Sequence, residues 1–177
     1  MALISTYFTN LLKVLAIGAG FASIPLFASL ASLQPPWPPA IGAVSAGLVM
    51  AGALIIWEWT RNSRIRNRRR WILSAALIAV ASILGYMILY SLFVENVPGT
   101  GLRVVRGYEC TRNALLVYKD ACPDLPSDAF EGAEWESTEL WTRQSVTTVR
   151  VGLAGAWLLF TAALTMTVGG VIAGRKF

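Results

Sequence analysis

"RNSRIRNRRRWILSAALIAVASILGYMILYSLFV", residues 61 to 94, changes character at a single position. Six arginines, Arg61, Arg64, Arg66, Arg68, Arg69 and Arg70, precede Trp71, and from Trp71 to Val94 no residue is charged. At ~1.5 Å of helix rise per residue, such a run reaches across a hydrocarbon core of ~30 Å. Short loops rich in Lys and Arg resist outward translocation, so the arginines read as the cytoplasmic flank of a membrane span. A grip on nucleic acid is the competing reading. It calls for stacking aromatics interleaved with the basic residues and room around them, and this run lies hard between two apolar stretches. Attraction of anionic lipid headgroups accompanies the topological role, at roughly 1 kcal/mol per basic residue near the surface.

The same pattern extends outward from this stretch. Apolar runs cover Val14 to Leu33, Ala40 to Trp57 and Val151 to Ala173, and Lys13 is the only charged residue before Glu58. The first run exceeds an ordinary signal-peptide core and has only Lys13 ahead of it, so it is expected to be retained rather than cleaved. Pro25 should kink it, and "QPPWPP", 34 to 39, cannot continue a helix because its prolines lack amide donors. Only 14% of the 177 residues are charged, well below the ~25% of ordinary soluble domains.

Charge orders the runs into a topology. Lys13, the six arginines, Arg175 and Lys176 are nine bases facing one acid, Glu58, a local balance of +8. Residues 95 to 150 hold six bases against nine acids, a balance of −3, and together the two give the chain's +5. The expected fold is an all-α integral membrane protein with four transmembrane helices and a small disulfide-tied extracytoplasmic module. Its parts are a first helical hairpin (1–57, spans 14–33 and 40–57), a basic cytoplasmic loop (58–70), a third span (71–94), an outer module (95–150), and a fourth span with its tail (151–177). Both ends are expected in the cytoplasm of a bacterium, and the membrane is its inner one.

Cys110 and Cys122 are the only cysteines, and both fall in residues 95 to 150. An oxidising compartment turns such a pair into a disulfide. Free thiols or a metal site are the alternatives, and a metal would lack further ligands in a chain without histidine. A bridge requires Cα atoms within about 7 Å, so residues 111 to 121 must double back, as one or two helical turns over "TRNALLVY" followed by a reversal would do. "GLRVVRGYEC" reads as strand-like, and "NVPGTG" as turn chemistry leaving the third helix. "SDAFEGAEWESTELW" has helix-forming composition, with Phe130, Trp135 and Trp141 as packing points. Ser145 is a candidate cap for the last helix. Glu131, Glu134, Glu136 and Glu139 read as a solvated helix face rather than a cation site.

The spans hold no Asp, Glu, Lys, Arg, His or Cys. Intramembrane catalysis and proton coupling normally leave such residues at depth, so no enzyme activity, metal or cofactor is expected. Small residues recur instead at helix-packing spacing: Ala43, Gly47 and Ala51; Thr161, Thr165 and Gly169; Gly170 and Gly174. Such stripes let helices approach closely in lipid, either within one bundle or between copies. The expected partners are the bilayer, further copies of the chain and a protein bound at either face, with nucleic acid excluded.

Three resemblances follow. A short first outer loop and a long, cysteine-bearing second one resemble the bacterial quinone-linked disulfide oxidases, with Cys110 and Cys122 in place of the second-loop pair. That family also carries a CxxC in the first loop, and "QPPWPP" has none. The layout is similar to that of tetraspanins, without their Cys-Cys-Gly motif. "RVVRGYECTRNALLVYKDACPDL" followed by "LWTRQSVTTVRVGLAGAWLLF" resembles small four-span proteins of bacterial antiviral operons. That last resemblance implies an oligomeric membrane effector that permeabilises the inner membrane once triggered. A scaffold subunit that recruits a partner through the outer or Arg-rich loop is the alternative, and a redox membrane enzyme the third.

Overall fold

A computed structural model describes Gly20, Ala28 and residues 33–62, 65–97, 103–119 and 121–173. The expected first span, 14–33, lies almost wholly outside these residues, as does Pro25. The described chain is predominantly helical. In order, it forms α1 (Ile41–Asn62), α2 (Ile65–Phe93), β1 (Val94–Asn96), β2 (Arg103–Val105), α3 (Arg112–Val117), α4 (Ser127–Gly132), α5 (Ser137–Leu140) and α6 (Arg143–Ala173).

Two described helices, not four, are long and apolar enough to cross a membrane: Asn67–Phe93 and Arg143–Ile172. Their apolar side chains largely face outward. Only 22% of the apolar stretch of the first is buried, and 33% of the second. Leu73, Leu77, Val80, Leu84, Ile88 and Leu92 are all more than half exposed, and the residues that α2 buries are Ala75, Ala79, Ser82 and Tyr86. A helix at the centre of a water-soluble fold would bury its Leu and Ile residues, and α2 does the reverse. The expected second span does form a helix, α1, but its apolar part runs only from Ile41 to Ile56, about 24 Å long. Most of the stretch expected as a cytoplasmic loop is helical among the described residues. α1 continues to Asn62 and α2 begins at Ile65, so residues 58–62 and 65–70 are helical. Arg and Glu are good helix formers, and nothing between 58 and 70 breaks a helix as the prolines at 35 to 39 do.

The chain divides into two compact units, one of residues 1–34, 39–84 and 156–177, the other of 35–38 and 85–155. In the first, α6 meets α1 and α2 through small residues. A methyl group on Gly52 would lie 3.4 Å from Thr165 Cγ2, one on Gly169 would lie 3.5 Å from Ile56 Cγ2, and one on Gly170 would lie 2.8 Å from Ile72 Cγ1. Close approach without a side chain in the way is what lets helices associate in lipid. The hydroxyls along this seam are satisfied on their own helices: Ser45 donates to Gly42 O at 3.0 Å and Thr165 to Thr161 O at 2.7 Å. They are packing groups rather than a polar lining.

In the second unit, β1 and β2 form an antiparallel pair with Val94 opposite Val105 and Asn96 opposite Arg103. The pair grows directly from the end of α2, where Arg106 N donates to Phe93 O at 2.7 Å. Within the strand-like "GLRVVRGYEC", Arg103–Val105 form β2 among the described residues, and β1 takes only Val94 from the end of the expected third span.

Candidate functional site

The disulfide-tied module is built around two aromatic rings. Phe130 and Trp141 are both fully buried, with centroids 5.1 Å apart, and Trp135 stacks on Phe130 at 5.5 Å. Cys110, Ala114, Leu125, Ala129, Ala133, Leu140 and Val146 complete this core. The three aromatic packing points read from the sequence are therefore in place. Their helix is not continuous. Glu134 and Trp135 take φ values of 49° and 63°, the left-handed region that non-glycine residues seldom adopt. The chain reverses there between α4 and α5, which brings the Trp135 ring back over Phe130. The four glutamates consequently do not share one helix face.

Cys110 and Cys122 are bonded, with Cα atoms 6.4 Å apart. The doubling back that this required is α3. Its N-cap Thr111 accepts from Ala114 N at 3.3 Å and donates its hydroxyl to Glu139 O at 2.8 Å. Cys110 also bridges to Trp141 through the backbone: Thr111 N donates to Leu140 O at 2.9 Å and Thr142 N to Glu109 O at 2.8 Å. The disulfide, the bridge and the Trp141 indole, whose Nε1 donates to Pro123 O at 3.3 Å, fasten the same segment at three points. Gly107 is pressed against this knot. A Cβ there would lie 2.6 Å from Trp141 Cβ and closer still to Ser145 Oγ, so only glycine fits.

The cap of α6 differs from the one expected. Thr142, not Ser145, accepts from a first-turn amide, Ser145 N at 3.4 Å. Ser145 is fully buried and donates to Thr142 O at 2.9 Å and Glu109 O at 3.3 Å. It sits one turn inside the helix and locks it to the module. Arg106 provides the other fastening, pairing with Glu95 on β1 while its guanidinium lies 5.1 Å from the centre of the Phe130 ring. Sequence reasoning missed Arg106 and gave Ser145 a different role. The signal for Arg106 was its alternation with Val105 next to a turn, too common a pattern to single it out.

A groove of about 540 Å³ lies between α3, α4 and α5, floored by Ala114, Ala129, Ala133 and Leu140 and rimmed by Asn113 and Glu139. Beside it Leu115, Leu116 and Val117 are exposed, Leu116 at 79%. Three consecutive apolar residues in water on a six-residue helix are unusual for a module this small.

The expected packing stripes divide. Thr161 and Thr165 are buried, and Gly169 and Gly170 meet α1 and α2 as described. Gly174 lies outside the described residues. Ala43, Gly47 and Ala51 are exposed, and nothing approaches within 4 Å of a methyl group placed on Gly47. α1 packs instead through Ile41, Ser45, Val49 and Ile56. Of the arginines, the side chains of Arg61, Arg64 and Arg66 lie outside the described residues, Arg68 is half-buried, and Arg69 and Arg70 are exposed. Among the described residues no group of three or more His, Cys, Asp or Glu is placed to hold a metal ion. No protein-family model, curated protein or solved structure matches this chain.

Proposed function

We propose that the chain is a multi-pass membrane protein that self-associates in the bilayer and, when triggered, compromises the ion barrier. In this reading α2 and α6 are spans, residues 14–33 and 40–57 complete a four-span arrangement, and the arginines lie in the cytoplasm with the disulfide-tied module outside. The carrying observation is the outward-facing apolar surface of α2 and α6, less than a third of α2 being buried. Lipid tails or neighbouring copies cover such a surface; water does not. The exposed Ala43–Gly47–Ala51 stripe supports contact between copies, because a backbone free of side chains can be approached closely. In this reading phage infection supplies the trigger, which is what the resemblance of the last span and its preceding module to antiviral-operon proteins implies.

Induced expression in a bacterial host, followed with a membrane-potential dye during phage infection, tests this. The expected result is depolarisation that begins after infection and is absent from cells lacking the protein. Full insertion with an unchanged potential throughout infection contradicts it. A second reading, a scaffold subunit, is favoured by the exposed Leu115, Leu116 and Val117 beside the module's groove. It predicts a stoichiometric partner in tagged pull-downs and no depolarisation.

A further inference from the structure

The run Arg68–Arg69–Arg70 has a geometry that a topological signal alone does not need. Its residues are not in a loop; they occupy the second turn of the 29-residue α2. Successive helical residues point about 100° apart, so three consecutive guanidinium groups fan around the helix at one depth. That depth is defined by the sequence, since no charge occurs from Trp71 to Val94. Trp59 and Trp71 mark it a second time. Their rings meet edge to face at 5.4 Å, and both side chains are at least half exposed, as indoles at headgroup depth are.

Nothing in the described protein balances this charge. The first turn of α2 contains no acidic residue, and Arg68, Arg69 and Arg70 make no ion pair among the described residues. Glu58, the only acid between Lys13 and Glu95, is exposed and makes no ion pair there either. The positive end of the helix dipole adds charge of the same sign. Guanidinium groups left in this state at a lipid headgroup boundary are matched by phosphate, which they bind in a bidentate fork.

We propose that Arg68, Arg69 and Arg70, flanked by Trp59 and Trp71, bind the phosphate of an anionic phospholipid in the leaflet that α2 enters. The proposal rests on the reading of α2 as a span. Lipid is favoured over nucleic acid because the arginines abut the apolar run directly.

The test reconstitutes the full chain in nanodiscs of equimolar phosphatidylcholine and phosphatidylglycerol at physiological salt. Native mass spectrometry then counts the lipids that each chain retains. Wild type is expected to hold phosphatidylglycerol enriched about tenfold over phosphatidylcholine, and the triple variant Arg68→Gln, Arg69→Gln, Arg70→Gln to show no enrichment. The triple Arg→Lys variant keeps the charge, and with it the orientation. It is expected to lose several-fold of the enrichment, because an ammonium cannot make the two-pronged contact. Equal enrichment in wild type and the glutamine variant overturns the proposal, as does equal enrichment in wild type and the lysine variant. Displacement of phosphatidylglycerol by a single-stranded oligonucleotide that binds wild type and not the glutamine variant overturns it in favour of nucleic acid. A chain that inserts without enrichment sinks this proposal and leaves the span reading intact. A chain that never enters the nanodisc sinks both.

Discussion

Trp141→Ala opens the disulfide-tied module. The indole is fully buried, its ring meets Phe130 at 5.1 Å, and its Nε1 donates to Pro123 O. Truncating a buried aromatic of this size costs about 3–5 kcal/mol, of which the cavity left behind is a large part. Each 1.4 kcal/mol is a factor of about ten in the closed-to-open ratio. The module has one aromatic core and no second layer to absorb the loss. Native-state proteolysis of the detergent-solubilised chain is therefore expected to cut within 107–142 more than a hundredfold faster than in wild type. Trp135→Ala should do less, because Trp135 is only partly buried and its backbone is already strained. Equal cleavage of wild type and Trp141→Ala would mean that the indole is not the keystone described.

Replacing both Cys110 and Cys122 by serine has the second-largest expected effect. The bond closes a short loop, with a separation of 12 residues, and the chain-entropy estimate for a loop of that size is about 3 kcal/mol. Module opening should again rise by about a hundredfold, and treatment of wild type with dithiothreitol should reproduce it. The backbone bridge between Cys110 and Trp141 persists without the disulfide, so some helical content in α3 survives. A redox role for the pair gives the opposite pattern, with proteolysis unchanged and an oxidoreductase activity lost.

Much of this was legible in the sequence because the signals were long or chemically narrow. An uncharged run of helix length has few alternative structures, so the C-terminal ends of α2 and α6 were readable to within a residue, although the helices begin six and eight residues before the expected 71 and 151. Two cysteines allow one intramolecular pairing. Phe130, Trp135 and Trp141 were readable as a core because they are the wholly apolar or indole rings of the segment, while Tyr108 and Tyr118 carry a hydroxyl that keeps one end in water. Register and direction were not legible. Ala43, Gly47 and Ala51 have the same spacing as Ala75 and Ala79, yet the first set is exposed and the second buried. Spacing alone carries no information about which face meets a neighbour. Ser145 and Thr142 are equally good caps by composition, and the choice fell to Thr142 because Cys110 pairs with Trp141 and ends the extended segment there. The left-handed turn at Glu134 and Trp135 had no glycine to announce it, although Gly132 stood two residues away. Tertiary packing of Trp135 against Phe130 fixes that turn, and a local pattern cannot report it.

Sidedness tests the account most directly. A single cysteine is placed either at exposed Glu131 on α4 (Glu131→Cys) or at exposed Asn67 in the first turn of α2 (Asn67→Cys), the native pair remaining bonded. Intact cells are then treated with a membrane-impermeant maleimide. The account predicts that Glu131→Cys labels at once and Asn67→Cys only after permeabilisation. Labelling of Asn67→Cys in intact cells, or of neither position until the membrane is opened, would contradict it.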